Sequence, residues 1–164
     1  MAFFSWLENL GFSVWVRESG SIWAFPMFLF AHTLGMSIVA GGSAFISFAL
    51  LGLWPKSAPI KPLEKMYPLI WAAFVVNLIT GVALFCADAQ TRAANWDFWI
   101  KLVLVFGGVI VLARMRKNVF ANPALDSGPV SSDAKMLAWA SLVCWFGAIC
   151  AGRLIAYVGP VAGL

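Results

Sequence analysis

Residues 22–53 read IWAFPMFLFAHTLGMSIVAGGSAFISFALLGL, and this stretch decides the fold class of the chain. It contains 32 residues, and His32 is its only strongly ionisable side chain. As a helix it would be about 48 Å long at about 1.5 Å per residue, whereas the hydrocarbon core of a bilayer is about 30 Å thick. The stretch is therefore predicted to be a membrane-spanning helix that tilts, bends or projects from the bilayer.

The rest of the chain contains three more long apolar stretches. They predict spans at about 63–87, 98–119 and 135–158, and the mixture of aromatic and charged residues at about 2–18 predicts a helix lying in the membrane interface. Of the 164 residues, 62% are hydrophobic and 11% are charged, whereas soluble domains carry about 25% charged residues. We therefore predict an all-α, polytopic membrane four-helix bundle that forms a single transmembrane domain over residues 1–164.

Lysine and arginine residues are distributed unevenly between the two sides of this bundle. The regions that follow the first and third spans carry Lys56, Lys61, Lys65, Arg114, Arg116, Lys117 and Lys135. The opposite side carries Arg17, Arg92, Lys101 and Arg153. Because cytoplasmic loops are enriched in Lys and Arg, we expect a multi-pass protein of the bacterial cytoplasmic (inner) membrane with both termini outside. The net charge of +4 forms no basic stripe, which excludes nucleic acid as a partner.

Each predicted span places one polar side chain in the half of the bilayer that we expect to be the outer half. These side chains are His32, Asn77, Lys101 and Arg153. Ionisable groups inside a membrane are costly and are candidates for function. A b-type haem needs an imidazole at mid-depth for its iron and cations nearer the surface for its propionates. His32, as the metal ligand, and Lys101 and Arg153, as the cations, supply that order.

A structural role is the alternative for each of these residues. His32 and Asn77 would then be hydrogen-bonded packing residues, and Lys101 and Arg153 would extend their charged ends to the interface. Gly35 lies one turn from His32 on the same helix face, where it would serve either the close approach of a macrocycle or close helix packing. The residues therefore leave both interpretations open.

The sixth iron ligand is not identified, because the chain has one histidine. Five-coordinate iron and a methionine ligand such as Met27 or Met36 are two alternatives. Met36 shares the helix face of His32, so it cannot reach the same haem from the opposite side. A homo-oligomer in which two copies of His32 bind one haem is a third alternative.

Three functional hypotheses follow from these patterns. The first is electron transfer by haem b near the outer face, as a possible oxidoreductase component with a quinone or a cytochrome c-type protein as redox partner. The second is a non-catalytic transmembrane subunit or scaffold of a larger respiratory or photosynthetic complex, in which the nine tryptophans anchor and pack. The third is a copper-handling membrane protein, in which His32, Met36 and a cysteine of the fourth span would suit Cu(I).

Two stretches carry a resemblance to known proteins: WVRESGSIWAFPMFLFAHTLGMSIVAGGSAF at 15–45 and MYPLIWAAFVVNLITGVALFCADAQTRAANWDFWIKLVLV at 66–105. They resemble a family of small, uncharacterised bacterial four-helix membrane proteins. The matching positions are Arg17, Glu18, Ser19, Pro26, His32, Gly35, Thr80, Gly81, Leu84, Phe85, Ala89, Asn95, Phe98 and Lys101. This resemblance covers about half of the chain and implies the four-helix fold without implying an activity.

The chain is also loosely similar to copper-resistance D-type membrane proteins and to the membrane protoporphyrinogen oxidase that binds haem b. Both have a histidine in the first helix and an aromatic residue three positions before a lysine at the start of a later helix. The corresponding residues here are His32, Phe98 and Lys101. The oxidase has a second histidine late in that helix, where this chain has RMRKN at 114–118. Ligation of one haem by two histidines of a single chain is therefore excluded.

Overall fold

Helices account for all the regular secondary structure in the described part of the chain, which confirms the all-α prediction. The structure is a computed structural model that describes residues 2–55, 57–123, 125–155 and 157. Its helices are α1 (Ala2–Glu8), α2 (Gly11–Glu18), α3 (Phe25–Leu50), α4 (Tyr67–Ala87), α5 (Ala89–Ala94), α6 (Trp96–Arg114) and α7 (Ser132–Leu154). A 3-10 segment (Lys61–Met66) precedes α4, and a π segment (Met115–Phe120) follows α6.

Among the residues that the structure describes, four helical spans are long and apolar enough to cross a membrane, as predicted for a multi-pass membrane protein. They are Phe25–Leu50, Lys61–Ala87, Trp96–Phe120 and Ser132–Leu154. The last span begins three residues before the predicted start at 135, because the side chain of Ser131 accepts a hydrogen bond from the Ala134 N–H and caps the helix there. The predicted end at 158 lies outside the described residues.

The first span is shorter than the 22–53 predicted from hydropathy. Helix α3 has 26 residues, or about 39 Å at about 1.5 Å per residue. Pro26 lies in its first turn, where a missing N–H costs no helical hydrogen bond. The helix ends just before Gly52, whose φ of +95° favours glycine. Hydropathy does not detect this stop because the flanking residues are also apolar.

The predicted interfacial helix at 2–18 is two helices in the structure. The chain leaves α1 at Asn9, whose side-chain N–H group donates to the Ser5 carbonyl, and α2 starts at Gly11. Ser13 and Val16 of α2 are fully buried, so this part of the chain packs on the bundle.

The four spans follow one another in space in the order α4, α3, α7, α6. Helix α3 packs against α4 and α7, and α6 packs mainly against α7. Aromatic pairs link α4 to the third span at each end: the Phe85 and Phe98 rings stack with centroids 5.2 Å apart, and those of Tyr67 and Phe120 meet edge-on at 5.5 Å. We call the end with α1, α2 and α5 the amino-terminal end, and the end with the 3-10 and π segments the basic end.

Hydrogen bonds made by two side chains, Glu8 of α1 and Arg17 of α2, hold the short helices onto the amino-terminal end. Glu8 accepts hydrogen bonds from the Gln90 backbone N–H at 2.7 Å and from its side-chain amide at 2.6 Å. Arg17 donates to the Ala87 carbonyl at 3.2 Å, at the last residue of α4, where helical carbonyls lack partners. The polar groups that α4 and α5 leave unsatisfied at their ends are thus bonded by α1 and α2.

Candidate functional site

His32 is bonded to α4 through one ring nitrogen. Its Nδ1 lies 3.1 Å from the Asn77 carbonyl oxygen and 3.2 Å from Thr80 Oγ1. A carbonyl oxygen only accepts, and the Thr80 hydroxyl already donates to the Val76 carbonyl at 2.7 Å. The proton of the neutral ring is therefore assigned to Nδ1, and both α4 oxygens accept from it.

The other ring nitrogen of His32 carries the lone pair. Nε2 has no hydrogen-bond partner in the described part of the chain. Unlike Asn77 Oδ1, which is fully buried without a partner, Nε2 is not fully buried. It therefore keeps some accessible surface. A neutral imidazole held in this way presents Nε2 as a ligand or a proton acceptor.

Glycines bring α3 and α4 close enough for these bonds. A Cβ at Gly35 would lie 3.0 Å from the Ala73 carbonyl oxygen, and a Cβ at Gly81 would lie 3.0 Å from His32 Cε1. Helix α4 fills the space beside Gly35. This glycine therefore allows close helix packing, which is one of its two predicted roles. Gly81 seats the histidine ring directly.

Lys101 is the predicted cation of the third span. It lies one helical turn after Phe98, whose ring stacks on that of Phe85 in α4. The Lys101 side chain lies along α7, with its Cδ and Cε 3.5 Å from where a Cβ would stand at Gly152. Among the described residues it has no ion-pair or hydrogen-bond partner. A cation inside the bundle is thus left free to meet an anionic group.

Arg92 was not predicted as a site residue. It lies on α5, between the spans predicted at 63–87 and 98–119, and its Nε is 3.6 Å from Asp88 Oδ2. The Nε atom is buried, and none of the described residues accepts a hydrogen bond from it. The i, i+4 spacing of Asp88 and Arg92 is the sequence signal for the helix that places this guanidinium.

Buried polar residues also start the third span. Asn95 accepts a hydrogen bond from the Asp97 N–H at 2.9 Å and donates to the Ile155 carbonyl at 3.4 Å, which ties α6 to the end of α7. Asp97 is 3% exposed, and its Oδ2 has no partner within the described ranges. Asp97 lies one turn before Lys101, so a carboxyl and an ammonium group share this face of α6.

The side chains of the remaining predicted residues form no hydrogen bond with the His32 ring. Arg153 is exposed and forms no ion pair with a described residue. Met36 packs beside the hydrophobic core. Asn77 is buried, and its backbone carbonyl rather than its side chain contacts His32, while its Oδ1 has no partner in the described structure.

Clusters of metal-ligating side chains are absent from the residues that the structure describes: no three His, Cys, Asp or Glu side chains come together. Of the two cysteines in the fourth span, Cys144 faces α6, with its Sγ 3.2 Å from where a Cβ would stand at Gly107, and Cys150 is exposed. A cavity of about 540 Å³ lies at the basic end, away from His32.

Comparison with known proteins adds no assignment to this geometry. No family model matches the sequence, and neither curated proteins nor solved structures gave a match.

Proposed function

We propose that this protein is a membrane b-type haem protein in which His32 Nε2 binds the iron. The orientation of the His32 ring carries the proposal. Metal-ligating histidines almost always donate their other ring N–H to a carbonyl, a carboxylate or water, which fixes the ring and makes the ligating nitrogen more basic. The hydrogen bond from Nδ1 to the Asn77 carbonyl at 3.1 Å is a bond of this kind.

The cations near the ring support a ligand that carries carboxylates. Lys101 lies one helical turn from Phe98, whose ring stacks on Phe85, and Phe85 lies one turn from Gly81 beside the His32 ring. Arg92 lies on α5, the helix between α4 and α6. We propose these two for the haem propionates, in place of the Lys101 and Arg153 pair expected from the sequence. Arg153 would remain at the interface.

The role that fits such a haem is electron transfer near the amino-terminal end, which we expect to face outward from a bacterial inner membrane. A bound haem would supply one-electron chemistry, and a quinone or a cytochrome c-type protein would be the redox partner. Because α4 occupies the space over Gly35, the haem would meet Nε2 where the ring is accessible. A second copy of the chain could there supply a second His32.

Absorption spectra of the purified full chain test this proposal. Protein from a haem-replete host should show a Soret band that shifts on reduction, and His32→Ala should abolish it. Imidazole added to His32→Ala should restore part of the band if the loss is that of a ligand. Thr33→Ala is the matched control, since Thr33 is the exposed neighbour of His32 on the same helix. A colourless wild-type preparation, or a band that His32→Ala leaves unchanged, would contradict the proposal.

A further inference from the structure

The cavity at the basic end is an open groove lined by charges. Its charged residues are Lys61, Glu64, Lys65, Arg116 and Asp126, and three prolines complete the lining. The groove lies between the start of the second span and the end of the third. It is separate from His32, so binding of a ligand in the groove would not require a haem.

The acidic groups of this groove are already engaged. Asp126 accepts hydrogen bonds from the backbone N–H groups of Ile60 at 2.6 Å and Lys61 at 3.2 Å. Glu64 lies 4.0 Å from Lys61 Nζ and 4.0 Å from Arg116 Nε. One carboxylate thus faces two cations at the limit of ion-pair distance, and a second anion would be attracted to the site.

The Lys61 ammonium is also engaged, because it donates to the Phe120 carbonyl. Lys65 differs: it is exposed and has no hydrogen-bond or ion-pair partner among the described residues. Lys65 and Arg116 are therefore the exposed cations of the groove whose charged ends donate no hydrogen bond to a described residue.

The π segment holds Arg116 beside the groove. Met115, Val119 and Phe120 are buried, whereas Arg116 has a half-exposed side chain. The Arg116 guanidinium carbon is 5.8 Å from the centre of the buried Tyr67 ring, within the range of a cation–π contact. This contact limits the positions of the guanidinium, which is a planar group suited to phosphate oxygens.

The position of the groove along the spans indicates where its ligand comes from. The 3-10 segment and the π segment are the ends of two candidate membrane spans. Leu69 follows the lining residue Pro68 and is 58% exposed, so an apolar surface begins directly beside the charges. Charge at a groove rim next to an apolar helix face matches a phospholipid, which joins an anionic head to apolar chains.

We propose that this groove binds the headgroup phosphate of an anionic phospholipid of the adjacent leaflet, through Lys65 and Arg116. The phosphate would sit between the two cations, and the acyl chains would lie along the exposed face of α4. Lipid bound there would brace the ends of the second and third spans against each other.

Lipid binding to the detergent-purified full chain tests this site by native mass spectrometry and by thermal unfolding. Phosphatidylglycerol should bind and raise the Tm of the wild type, and phosphatidylcholine of the same acyl chains should bind at least about tenfold more weakly. The variant Lys65→Gln/Arg116→Gln should lose about tenfold in affinity for phosphatidylglycerol. Lys117→Gln/Lys135→Gln is the matched control, because it removes the same charge from exposed residues outside the groove.

Three outcomes would overturn the proposal. Equal loss of affinity in the two double variants would mean that overall charge, not the groove, attracts the lipid. Equal binding of the two lipids would remove the role of headgroup charge. Inorganic phosphate that raises the Tm as much as phosphatidylglycerol at equal concentration would assign the groove to a free anion instead.

Discussion

Lys101 at the amino-terminal end lies along α7 within the bundle, whereas Lys65 at the basic end is exposed beside an open groove. The polar contacts of the two ends differ in the same way. His32 is held by α4 backbone and hydroxyl oxygens inside the bundle, while Glu64 meets its cations at 4.0 Å in an exposed region. Polar groups inside a membrane depend on close helix packing for their partners, and exposed groups do not. Substitutions should therefore have larger effects on stability at the amino-terminal end.

The largest effect is expected for Gly35→Ala. Its Cβ would lie 3.0 Å from the Ala73 carbonyl oxygen, and a backbone atom cannot move without separating α3 from α4. Overpacking of this kind costs about 2 kcal/mol. Unfolding of the purified protein in detergent measures the loss. Gly41→Ala is the matched control on the same helix, since nothing lies within 4 Å of its added Cβ, and it should be neutral or slightly stabilising.

Gly81→Ala should have a smaller effect on stability, about 1 kcal/mol. Its Cβ would lie 3.0 Å from His32 Cε1, and the histidine ring can tilt away. That tilt should weaken the bond from Nδ1 to the Asn77 carbonyl, so we also expect a lower Soret absorbance per protein. Unchanged stability together with an unchanged spectrum would mean that Gly81 does not seat the ring.

The pH dependence at the amino-terminal end should depend on Glu8. The hydrogen bond from the Gln90 backbone N–H, helped by the nearby charge of Arg17, holds the pKa of Glu8 below its usual value of 4.5. The contact therefore stabilises the fold fully above pH 4.5, and the contribution is lost as the pH falls through the lowered pKa. We expect an effect below about 1 kcal/mol because the pair is exposed.

Hydrogen exchange of α1 and α5 between pH 7 and pH 3 measures this contribution. Protection factors, which correct for the slower intrinsic exchange at low pH, should fall on acidification in the wild type, and Glu8→Gln should already have low protection at pH 7. Glu18→Gln is the control, because Glu18 pairs only with the adjacent Arg17 among the described residues. The prediction fails if Glu8→Gln and the wild type respond to acid alike.

The smallest effect is expected at the basic end. Glu64→Gln removes two ion pairs of 4.0 Å between half-exposed side chains. Exposed pairs contribute little, so the free energy of unfolding should change by less than about 0.5 kcal/mol. If Glu64→Gln lowered the free energy of unfolding as much as Gly35→Ala in the same experiment, the two ends would not differ in the way we expect.

Hydropathy located the four spans because long apolar runs are a property of local sequence. It placed their ends less well, since Gly52 stops α3 inside an apolar run and α5 forms within a predicted loop. From the sequence, His32 and Asn77 of the second span could be predicted to lie at a similar depth, but their contact could not be predicted. Which atom of Asn77 it contacts depends on how closely α3 approaches α4.

The sequence by itself determined the all-α fold and its four apolar spans, and it predicted similar depths for His32, Asn77 and Lys101 from residue counts along those spans. Only the tertiary structure decided which groups face one another. It placed Arg92 on a helix between the second and third spans, placed Lys101 against Gly152, and assembled the groove around Lys65 and Arg116 from segments about fifty residues apart. The physical reason is that helix rotation and neighbour order come from packing between distant parts of the chain, which local periodicity does not contain.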